Sequence, residues 1–117
     1  MKAARNFGSA SIILTNSTLS PMDYQQAKKL PGTVLVEFYA SWCPHCQRMM
    51  PIVARVKEQL KGQTQVYQYD VDKYPEAADQ ANVESYPTFI VYRDGKEQWR
   101  FAGEIAYDDL MFHASYD

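Results

Sequence analysis

The segment Val34-Leu35-Val36-Glu37-Phe38-Tyr39 constrains the fold of this chain more than any other. Extended backbone sends alternate side chains to opposite faces, and here both faces are apolar except at Glu37. A strand with no side for water belongs in the middle of a sheet covered by helices on both faces. The expected fold class is therefore α/β.

The flanking segments supply the covering. Ser11 to Thr15 reads as a short strand. Ser20-Pro21-Met22-Asp23 places a helix cap, a proline at the first helical position and a carboxylate three residues after the cap. Lys28-Lys29 closes that segment before Pro31-Gly32. After the central strand, Met49, Val53, Val56 and Leu60 recur at helical spacing until Gly62, predicting a helix of about four to five turns that starts at the two cysteines. Val66 to Val71 alternates as a strand, and Pro75-Glu76-Ala77-Ala78 opens a short helix. Thr88 to Tyr92 and Gln98 to Phe101 flank Asp94-Gly95, the pattern of a hairpin with a tight turn. Tyr107, Leu110, Met111 and Ala114 share one face of a last helix, with His113 expected in solvent near its C-terminus, where a cationic imidazole suits the dipole. The order β-α-β-α-β-α-β-β-α predicts a mixed sheet, parallel crossovers first and an antiparallel hairpin last.

A length of 117 residues with 46% hydrophobic side chains suits a single domain over 1–117, its first ten residues expected to be a flexible N-terminal segment. With 12 basic and 14 acidic side chains, the chain lacks the electrostatic footprint that nucleic acid or an anionic membrane requires. Met1-Lys2-Ala3-Ala4-Arg5 leads into Asn6-Phe7-Gly8-Ser9, which is not the apolar core of a signal peptide, and Ile12-Ile13-Leu14 and Val34-Leu35-Val36 are too short to span a bilayer. A soluble monomer is expected, with no nucleic-acid partner and no membrane insertion. A periplasmic or other extracytoplasmic location is preferred if a signal peptide was removed, a cytoplasmic one otherwise.

Both cysteines lie in Ser41-Trp42-Cys43-Pro44-His45-Cys46. Positions i and i+3 share one face of a helix, within reach of a disulfide. Three readings compete. A structural disulfide closing so short a loop removes little unfolded-state entropy, on the order of 2 kcal/mol. A zinc site wants four ligands, but His45 faces away from the side the cysteines share and His113 is the only other histidine, which leaves a cluster shared between two chains. Haem attachment needs a histidine directly after the second cysteine, where Gln47 stands. The redox reading has a positive warrant, because Cys43 sits where helix N–H groups point outward and the dipole favours an anion. Cys43 is then the thiolate, with its pKa below the free value, and the more sheltered Cys46 the resolving thiol. Pro44 fits the first helical turn. Pro51 deprives the Gln47 carbonyl of its partner and is expected to kink the helix, letting the cysteine end tilt.

From Val34 through Cys46 to Pro51, then at Asp70-Val71-Asp72, Tyr86-Pro87-Thr88, Asp94-Gly95 and Gly103, the chain resembles the thioredoxin family. The match runs in order over nearly the whole length. The resemblance implies a five-stranded mixed sheet flanked by four helices and a cis peptide bond before Pro87 facing the cysteines. It also implies that the backbone of Tyr86 pairs with an extended substrate peptide, a small-scale strand addition. Trp42 is expected to join Tyr86 and Pro87 in the surface that docks substrate.

Two departures from the family pattern bear on chemistry. Pro44-His45 replaces the usual Gly-Pro and is the dipeptide typical of DsbA-like disulfide oxidases, although their large helical insertion is absent. A histidine near the Cys43 sulfur adds a donor or a positive charge, stabilises the dithiol and makes the disulfide a stronger oxidant. Otherwise His45 is an exposed loop residue without effect. Glu37 stands where thioredoxins usually carry a buried aspartate that passes protons to the resolving thiol, and Gln68 replaces the usual partner lysine. Glu37 is read either as that proton carrier, its pKa raised by burial, or as a strand-end carboxylate reaching solvent.

The function expected is a thiol-disulfide oxidoreductase exchanging a Cys43–Cys46 dithiol and disulfide with protein thiols and disulfides, more oxidising than ordinary thioredoxin. It would need no metal and no cofactor beyond that disulfide, and would be recycled by an unidentified redox partner. The alternatives are a general protein-disulfide reductase and a non-catalytic peptide-binding module built on Trp42 and Tyr86.

Overall fold

The central strand is where the patterning put it. In a computed structural model that describes residues 21–115, β1 (Thr33–Tyr39) is buried from Thr33 to Phe38. It lies between β2 (Thr64–Asp70), which runs parallel to it, and β3 (Thr88–Arg93), which runs antiparallel. Strand β4 (Lys96–Ala102) pairs antiparallel with β3, giving the order β2-β1-β3-β4. Asp94 and Gly95 join β3 to β4 with φ of 51° and 86°, the positive values a two-residue hairpin turn demands. The described residues form four strands where the resemblance implied five. The expected strand at Ser11 to Thr15, like the N-terminal segment, lies outside them.

Four helices accompany the sheet: α1 (Tyr24–Ala27), α2 (Pro44–Gln59), α3 (Pro75–Gln80) and α4 (Tyr107–Ala114). The start of α1 corrects the expected one at Pro21. Asp23 is the cap, its carboxylate accepting the Gln25 N–H at 3.1 Å, so the carboxylate read as an N3 residue ends the extended lead-in instead. Pro51 stands inside α2, which continues past it to Gln59. Among the described residues no helix is long and apolar enough to cross a membrane.

The alternation along β1 divides the core in two. Val34, Val36 and Phe38 pack with Ile90, Tyr92 and Tyr69 beneath Tyr24 of α1 and Ala77 and Ala78 of α3. Leu35 packs with Phe89 and Val91 beneath Met49, Val53 and Val56 of α2 and Leu110 and Ala114 of α4. This second layer seats the cysteine-bearing helix on the sheet. His113 departs from expectation: its ring stacks on Trp99 with centroids 4.1 Å apart, because the last turn of α4 brings it over the flat indole that β4 presents.

Candidate active site

Cys43 ends the turn after β1 and caps α2. Its N–H donates to the Ala40 carbonyl at 3.1 Å and its carbonyl accepts the Gln47 N–H at 3.0 Å. Pro44 follows at the first helical position, where a missing donor leaves nothing unpaired. No side chain makes a capping hydrogen bond there, so the first-turn amides are left to serve the sulfur. The N–H of Cys46 holds the Cys43 thiol below the ordinary cysteine value against the opposing effect of burial, helped by the Cys46 thiol, the N–H of His45 and the charge of Arg48. One turn further in, Cys46 is 1% exposed, and burial pushes its thiol up to about 11. Both cysteines are free thiols.

Glu37 lies on the α2 side of β1 with Leu35, opposite Gln68 in the parallel register. It is 2% exposed, which overturns the reading of a carboxylate reaching solvent. Its Oε1 accepts a hydrogen bond from Gln68 Nε2 at 3.0 Å. Burial, only partly offset by that bond, pushes the carboxyl up to about 7. Its charge is felt at Cys46, where it helps to raise the thiol.

The Tyr86–Pro87 peptide bond is cis. It faces the cysteines: the Tyr86 carbonyl oxygen lies 3.8 Å from Cys43 Sγ. Trp42 is 63% exposed, its indole meeting the Tyr86 ring edge-on at 6.3 Å and its Nε1 donating to Asp72 Oδ2 at 3.0 Å. Trp42, Cys43 and Tyr86 thus form one continuous patch beside the buried Pro87.

His45 turns elsewhere. Its Nδ1 lies 2.6 Å from Glu104 Oε2, in the connection between β4 and α4, and 3.1 Å from Arg48 Nη2. A carboxylate oxygen can only accept, so a protonated Nδ1 serves the shorter contact. What reaches the Cys43 sulfur from this residue is its backbone N–H. Arg48 and Glu104 escaped the sequence reading. Arg48, three positions after His45, was within reach of a helical-spacing argument. Glu104 stands 59 positions from His45 with no local signal. Among the described residues no group of three or more histidine, cysteine or acidic side chains could hold a metal ion.

The sequence model of the family described as Thioredoxin matches residues 16–115. The chain belongs to the thioredoxin family. It is 44% identical over 78 residues to chloroplastic thioredoxin Y1 of Arabidopsis thaliana, covering 67% of this chain and 45% of that protein. It is 44% identical over 73 residues to a thioredoxin-like protein of Synechocystis, covering 62% and 70% respectively. In three dimensions it is similar to the thioredoxin of Fasciola hepatica, with a TM-score of 0.67, 28% identity and coverage of 75% of this chain and 86% of that one. The chain spans about half the length of the first curated relatives it matches, 45% and 47% for the two Arabidopsis proteins.

Proposed function

We propose that this chain is a thiol-disulfide oxidoreductase that exchanges a Cys43–Cys46 dithiol and disulfide with protein substrates, at a potential above that of ordinary thioredoxin. The observation that carries the reading is the position of Cys43, capping a helix with its sulfur between first-turn N–H groups and the Tyr86 carbonyl. In the reducing direction the Cys43 thiolate attacks a substrate disulfide, forming a mixed disulfide and releasing one substrate thiolate. Cys46 then loses its proton to Glu37 and attacks the Cys43 sulfur, so that the Cys43–Cys46 bond forms as the second substrate thiolate leaves. Two electrons pass to the substrate, whose thiolates take up two protons, and a dithiol donor restores the pair. The oxidising direction is the reverse. The exposed Trp42 indole and the Tyr86 backbone are the docking surface for an extended peptide.

The lowered Cys43 thiol beside Arg48 supports the more oxidising assignment. A specific contact favours the second reading, a general protein-disulfide reductase: the His45 imidazole is engaged by Glu104 rather than by the sulfur. Equilibration with glutathione redox buffers separates the two. A potential above roughly −230 mV supports the proposal, whereas one near about −270 mV assigns a thioredoxin-type reductase. Cys46→Ser is expected to trap a mixed disulfide with a disulfide-bonded peptide, and Cys43→Ser to trap none. Peptide binding without exchange in the unaltered protein would leave only the binding module.

A further inference from the structure

The rim of the active site holds an ionic cluster that the exchange mechanism above does not use. Arg48 clasps the Glu104 carboxylate with both ends of its guanidinium, Nε to Oε1 at 3.1 Å and Nη2 to Oε2 at 2.7 Å, while His45 Nδ1 sits 2.6 Å from Oε2. The residues on either side of Glu104 are anchored to the site itself. The Gly103 N–H donates to the Pro87 carbonyl at 2.8 Å. The Ile105 N–H lies 3.5 Å from the sulfur of Met49, a buried residue of α2. Glu104 is thereby hung between the cis-proline loop and the cysteine helix, although its own side chain is 38% exposed.

We propose that Glu104 is a positioning residue for disulfide exchange: by holding the His45 imidazole and the Arg48 guanidinium on its carboxylate, it draws the imidazole away from the Cys43 thiolate, limits the charge that Arg48 lends the sulfur, and sets the potential of the pair below what Pro44-His45 alone would give. The proposal rests on the oxidoreductase reading. The charged and titratable groups near Cys43 include Cys46, His45 and Arg48 of α2, Glu37 and Tyr39 of β1, Tyr86 of the cis-proline loop, Asp72 behind Trp42, and Glu104 itself. Of these, Arg48 and Glu104 form an ion pair, with the imidazole of His45 on the same carboxylate, so removing the acid changes what both basic side chains can do. The Arg48 pair holds the Glu104 carboxyl down at about 2, with His45 contributing, so the carboxylate is present across the working range.

The test compares four purified proteins in glutathione buffers and in a pH series of iodoacetamide alkylation: the unaltered chain, Glu104→Gln, His45→Ala/Arg48→Met, and the triple variant. Glu104→Gln is expected to shift the equilibrium toward the dithiol about tenfold, equivalent to about 30 mV for two electrons, and to move Cys43 alkylation to lower pH. With His45 and Arg48 removed, adding Glu104→Gln should shift the equilibrium less than about twofold. An unchanged potential and pH profile in Glu104→Gln would overturn the proposal. So would a tenfold shift that survives loss of both partners, since the carboxylate would then act directly on the sulfur. If the unaltered protein exchanges no disulfides, the oxidoreductase reading fails instead, and the two failures are told apart by that control.

Discussion

Cys43 and Cys46 are the same side chain one helical turn apart, and their surroundings make them unlike. Cys43 takes N–H groups at the helix start, while burial pushes Cys46 up to about 11. Glu37 is the third member of this set and carries a testable linkage. Its pKa rises from 4.5 unfolded to about 7 folded, so between those values the folded state holds more protons and stability falls as pH rises. Below the lower value the carboxyl is neutral in both states and costs nothing. Above the higher value the cost is complete, roughly 2–4 kcal/mol. Glu37→Gln keeps an acceptor for Gln68 and removes the charge. Urea unfolding is expected to show the variant gaining stability relative to the unaltered protein as pH rises through that window, with no gain below it. The same variant should resolve mixed disulfides roughly 10²-fold more slowly, since a glutamine accepts no proton. A gain at acid pH, or none at alkaline pH, would contradict the buried-carboxylate account. That Glu37 needed a reason was legible in the sequence, because it interrupts an apolar strand. Its two readings could be separated only when both faces of β1 proved to be covered.

At the scale of elements, the site is the meeting of one helix start with two connections, the cis-proline loop and the stretch from Gly103 to Ala106. Gly103 has φ of 115°, and a Cβ there would meet only Phe101 Cε2 at 3.9 Å, so conformation rather than space demands glycine. Gly103→Ala is expected to lower stability by about 1–3 kcal/mol in urea unfolding. By displacing Glu104 it should also move the potential in the same direction as Glu104→Gln. A change under about 0.5 kcal/mol with an unaltered potential would show that the connection has no positioning role. The elements themselves were readable where the period was strong: β1, α2 and the hairpin all stand where the patterning put them. The cap of α1 was misplaced because Ser20-Pro21 and Asp23 carry overlapping start signals, and only the Asp23 bond to Gln25 decides between them. The stack of His113 on Trp99 and the grip of Glu104 on His45 join residues far apart in sequence, where no periodicity reaches.

The whole molecule works by having two layers over one sheet. Leu35 and its partners fix α2 on one face, Val36 and its partners hold α1 and α3 on the other, and the start of α2 emerges at the end of β1, beside the Tyr86–Pro87 bond. From α1 onward the order of strands and helices was legible because each change of element leaves a change of period in the chain, but the expected run of parallel crossovers stops at β2: β3 lies antiparallel to β1, a direction that periodicity does not encode. The electrostatic asymmetry of the thiols was legible only in sign, since its size depends on which amides and charges the fold turns toward each sulfur. It is the folded molecule, rather than the local sequence, that separates the two thiols. Alkylation of the reduced protein at neutral pH, read by peptide mass spectrometry in the native state and again in urea, tests it directly. Cys43 should react while Cys46 stays protected in the native protein, with the two rates converging on unfolding; equal native rates, or a faster Cys46, would contradict it.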